Sequence, residues 1–118
     1  MKAYLINPFE KSVKEVEYSG DIEDIYLHLN CDIFDCCYPF DNQNCVFIDD
    51  EGPLKPDQSF FTIGKYSQPL AGMGLVLGTD ENGDSIGAIG SISDLNVRWV
   101  KFALIAGDMA PIEEAYAP

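Results

Sequence analysis

Residues 69–85, PLAGMGLVLGTDENGDS, constrain the fold more than any other stretch, because they join the longest apolar run to the clearest turn. Read as one strand, Ala71, Met73, Leu75, Leu77 and Thr79 share one face, and Leu70, Gly72, Gly74, Val76 and Gly78 share the other. One face is bulky and the other nearly bare. Glycine inside a strand forgoes side-chain packing, so three on one face point to close approach by another element. The competing reading is a small molecule or nucleotide lying against exposed backbone. Asn82-Gly83 then supplies two residues that tolerate positive φ, the strongest short-range signal for a hairpin.

The rest of the chain reads as an α+β domain. We expect a mostly antiparallel mixed sheet of about five to six strands with two helices packed on one face. Strands are expected over residues 2–6, 12–18, 32–38 and 45–49, each bounded by turn residues. Between the second and third, Ser19 or Asp21 caps a helix whose apolar residues Ile22, Ile25, Tyr26 and Leu29 recur at i, i+3, i+4 and i+7. Its first turn is acidic, with Glu23 and Asp24, which suits the positive end of a helix dipole. Residues 53–68 make a long connection, but Phe60, Phe61 and Ile63 are too apolar for water, so it folds back on the core. Ser91 or Ser93 with Asp94 starts a second helix carrying Leu95, Trp99 and Phe102, for which alternating apolar residues make a strand the alternative. Residues 1–107 are expected to form the domain and residues 108–118 an acidic tail.

A length of 118 residues suffices for one domain with a modest core, and 47% hydrophobic residues are those of a folded chain. Apolar runs are too short for a membrane span and no basic region precedes an apolar one, so the protein is expected to stay where it is made. Seven basic residues against twenty acidic ones give a net charge of −13. That charge disfavours direct binding to nucleic acid and to anionic membranes, and favours a partner with a basic surface. The candidate interaction residues are Asp21, Glu23, Asp24, Asp49, Asp50, Glu51, Asp80, Glu81 and Asp84. For the small-molecule alternative, the glycine face would be joined by Lys65, Gln68 and Arg98.

No catalytic, cofactor or metal motif is complete. Asp80, Asn82 and Asp84 occupy the first, third and fifth places of a calcium loop, but Ser85 replaces the turn glycine and Ser91 the bidentate glutamate. Cys31, Cys36, Cys37 and Cys45 lack paired C-x-x-C knuckles and are expected as small buried thiols, and His28 is the only histidine. No nucleophile has a visible orienting base and oxyanion pocket, so no catalytic residue is assigned and a binding role is favoured over an enzymatic one, which the small-molecule alternative leaves open.

Three blocks carry a resemblance: residues 1–29, then VFIDDEGPLKP, then QPLAGMGLVLGTDENGDS. Together they resemble a family of small domains of unknown function found largely in phages, plasmids and mobile elements. The most specific pieces are Asp50-Glu51-Gly52, Pro69-Leu70-Ala71-Gly72 and Gly78-Thr79-Asp80. The resemblance implies a mobile-element protein in the cytoplasm of a bacterial host, and with the charge it suggests an inhibitor that blocks a basic host factor, in the manner of counter-defence proteins or nucleic-acid mimics. It implies no cofactor and no catalytic residue.

Overall fold

In the computed structural model the backbone is described for residues 1–105 and 108–116 and the side chains for residues 1–101. β7 (Gly74–Thr79) is the strand against which the others are built, and every residue from Gly74 to Gly78 is buried. β1 (Lys2–Asn7) and β4 (Asn44–Asp49) flank it, both antiparallel. β2 (Ser12–Glu17) pairs with β1, and β3 (Phe34–Cys37) with β4, giving the order β2-β1-β7-β4-β3. β8 (Ser85–Ile86) pairs with Gly78 and Thr79 as the sixth strand. β5 (Phe60–Ile63), β6 (Tyr66–Ala71), β9 (Arg98–Ile105) and β10 (Asp108–Tyr116) make a separate antiparallel sheet in the order β10-β9-β5-β6.

Side-chain alternation sorts the apolar residues of the larger sheet into two cores. Tyr4, Ile6, Val46 and Val76 face the smaller sheet and pack with Phe61, Ile63 and Trp99. Ala3, Leu75 and Leu77 face the opposite way and are covered by α1 (Ile22–Leu29) through Ile25 and Leu29. The molecule is therefore three layers thick: helix, six-stranded sheet, four-stranded sheet. Among the described residues no helix is long and apolar enough to cross a membrane.

The expected antiparallel sheet and the first helix are present, and three expectations need correction while a fourth holds in part. The stretch from Leu70 to Thr79 is two strands in different sheets, because Gly72 at φ +82 turns the chain from β6 into β7. The connection at 53–68 folds back on the core as expected, with Phe61 and Ile63 fully buried and a 3₁₀ turn (Gly52–Leu54) at its start, but it also holds the β5–β6 hairpin in place of a loop. The second helix is only a 3₁₀ turn (Ile92–Leu95), capped by Ser91 and Asp94, after which the alternation of apolar residues prevails as β9. Residues 108–116, expected as tail, form β10 along β9.

Candidate functional site

The register gathers two acidic segments at one end of the six-stranded sheet. β1 begins, β2 ends and β7 enters its hairpin at this end, since Lys2 lies opposite Glu17 and Tyr4 opposite Val76. α1 starts from the same place. Asp21 is its N-cap, accepting the Glu23 N–H at 3.1 Å, and Glu23 and Asp24 complete an acidic first turn. Asp24 accepts the Ser19 N–H at 3.0 Å and lies 3.7 Å from the His28 Nε2. Burial, then the carboxylates of Asp24 and Asp21, raise the Tyr18 hydroxyl above its ordinary pKa. At the tip of the hairpin, Asp80 Oδ1 accepts N–H groups from Asn82 and Asp84, both at 2.9 Å, so this carboxylate organises its own turn. Glu81 and Asp84 are exposed beside it.

Asp21, Glu23, Asp24, Asp80, Glu81 and Asp84 thus share one end, while Asp49, Asp50 and Glu51 lie at the other, where Ile48 pairs with Gly74. Asp49 is not a surface acid. It is 6% exposed, accepts the Glu51 N–H at 2.9 Å and binds the Lys55 Nζ at 2.5 Å, so its charge is spent inside the molecule. Asp50 and Glu51 remain exposed.

Next to the acidic end the helix carries uncovered apolar residues. Leu27 is 77% exposed and Ile22 is 54% exposed. The helical period had placed Ile22 on the inner face, yet Ile25 and Leu29 alone are buried there, and Tyr26 packs at 4.9 Å against Phe34. Leu27 gave no signal of this kind in the sequence, because a single apolar residue on a polar helix face is common.

The residues expected to hold a small molecule are not brought together. A Cβ on Gly74 would stand 2.7 Å from Phe61 Cζ, and one on Gly78 would stand 2.7 Å from the Gly87 carbonyl oxygen. Protein therefore covers both positions. Lys65 reaches Asp41 at 2.6 Å at the β5–β6 turn, Gln68 is exposed on β6, and Arg98 lies opposite Thr62 in β9. Gly72, at the far end of β6 from Lys65, lines a cavity with Lys55 and Gln58, two residues that the sequence reading did not single out.

The four cysteines are free thiols. Cys36 and Cys37 are adjacent on β3 and so point to opposite faces, Cys37 into the core between the sheets. Burial, followed by Cys36, Asp35 and Cys45, pushes the Cys37 thiol up to about 11. Among the described residues no three His, Cys, Asp or Glu side chains are grouped to hold a metal ion.

Neither a curated protein nor a solved structure matches the chain. A family model, that of DUF3846, a domain of unknown function, matches residues 1–95. The match takes in β1 to β8, α1 and the turn before β9, and so both acidic segments. The chain belongs to the DUF3846 family.

Proposed function

We propose that this protein is an acidic docking module that seats the outer face of α1 on a partner protein with a basic surface and so blocks that surface. The observation that carries the reading is Leu27, 77% exposed on the same short helix whose first turn holds Glu23 and Asp24. An exposed apolar side chain beside acidic ones suits an interface in which the apolar contact is buried and the charges steer and select the partner. The net charge of −13 favours a basic partner over a long range and opposes direct contact with phosphate backbones. A host factor with a nucleic-acid-binding groove is the kind of partner that this chemistry suits.

The test is affinity capture from a bacterial lysate with three proteins: the natural chain, a Glu23→Lys/Glu81→Lys variant and Leu27→Ala. All three substitutions are on exposed positions and should leave the fold intact. The expected result is one partner retained by the natural chain, released as salt rises from about 0.1 M toward about 1 M, and lost from both variants. Retention that ignores salt and both variants would refute the reading.

A further inference from the structure

At the end of the six-stranded sheet away from the acidic hairpin, a cavity of about 210 Å³ opens between the C-terminus of α1, the end of β4 and the corner at Gly72. Its lining carries both signs of charge. Asp49 is 6% exposed and holds the Lys55 ammonium at 2.5 Å, while the Glu51 N–H fixes its other oxygen. Lys55 itself is 41% exposed, and an ammonium has three hydrogens, so two remain for another acceptor. Donating this hydrogen bond to Asp49 raises the Lys55 pKa, which keeps the ammonium charged. Asp57 adds a second, exposed carboxylate, and Gln58 is fixed by donating its Nε2 to the Gly52 carbonyl at 2.9 Å. Leu29 and Met73 give the cavity an apolar wall.

The size and the charges narrow the ligand. Cavities for drug-sized molecules run to about 300–1,000 Å³, so this one takes something smaller. A phosphate or other polyanion would bring more than one negative charge to the single Lys55 ammonium and beside the Asp57 carboxylate, and a simple cation would meet Lys55. A small molecule bearing one charge of each sign meets neither penalty. We infer that this cavity binds a free α-amino acid with an apolar side chain, its carboxylate on Lys55, its ammonium on Asp57 and its side chain against Leu29 and Met73. Asp49 positions Lys55 and does not touch the ligand. The inference does not rest on the docking reading, since Lys55, Asp57, Leu29 and Met73 are not among the residues placed on the docking face.

The experiment is a nuclear magnetic resonance titration of the ¹⁵N-labelled full chain with L-leucine, L-methionine and L-phenylalanine, each to about 10 mM, a range that reaches millimolar affinities. Two analogues of leucine accompany them: 4-methylpentanoate, which lacks the ammonium, and 3-methylbutylamine, which lacks the carboxylate. The expected result is saturable shifts at Asn30, Lys55, Gln58 and Gly72 with at least one amino acid. Binding should weaken at least about tenfold for both analogues, and likewise in Lys55→Gln and Asp57→Asn. Asp57→Asn is the safeguard should Lys55→Gln unfold, because Asn tolerates the φ of +56 found at this position. No shift with any of the three amino acids, or equal binding of either analogue, would overturn the inference.

Discussion

Cys37 shows how a single side chain reports its layer. It sits on β3 with its thiol against the core between the two sheets, and burial is the main cause of its rise from the ordinary 9.0 to about 11. The unfolded chain therefore releases this proton near pH 9 and the native chain near pH 11. Over that window the unfolded state binds fewer protons, so stability falls as pH rises. Two outcomes follow. At pH 8 iodoacetamide should leave Cys37 unmodified in the native protein and label it in urea, and the decline of unfolding free energy between pH 9 and pH 11 should be shallower in Cys37→Ala, measured by urea denaturation. Equal labelling in the native and unfolded states would show that the thiol is not in the core. Asp49 teaches the opposite lesson. As one of three successive acids it reads as surface, and only the partner six residues later, Lys55, makes its burial affordable.

At the scale of elements, β7 is the strand most exposed to test. Its glycines let the smaller sheet close on it: Gly74 accepts the ring of Phe61, which is fully buried, and Gly78 accepts the β8 edge. Gly74→Ala should destabilise the protein by about 1–3 kcal/mol through overpacking, and Phe61→Leu in the same chain should recover part of that loss. A Gly74→Ala protein as stable as the natural one would mean the two sheets do not meet there. The close approach was legible in the spacing of the glycines, and α1 in the recurrence of Ile25, Tyr26 and Leu29. The corner at Gly72 was not, because side chains keep alternating in sequence across the change of sheet. The region after Ser91 misled for a related reason. Leu95, Trp99 and Phe102 fit a helical period, but Val97 and Trp99 alternating with Val100 and Phe102 fit a strand as well, and pairing of β9 with β5 decides between the two. The candidate site was half legible: the acids of the first helical turn and of the hairpin stand out as residues, whereas their common end of the sheet follows from strand order, and the exposure of Leu27 from how α1 is rotated on the sheet.

The whole molecule divides its chemistry between two ends of one sheet. The N-terminus of α1 and the β7–β8 hairpin place acids at one end, with Ile22 and Leu27 exposed on the helix, while the opposite end buries Asp49 against Lys55 around a small mixed-charge cavity. Both ends lie within the part of the chain that the DUF3846 model matches. This division makes the docking account directly measurable by amide hydrogen exchange on the protein alone and saturated with its captured partner. The account predicts new protection on α1 and on residues 80–84, with residues 50–58 unchanged. Protection confined to residues 50–58, with α1 exchanging as in the free protein, would contradict it.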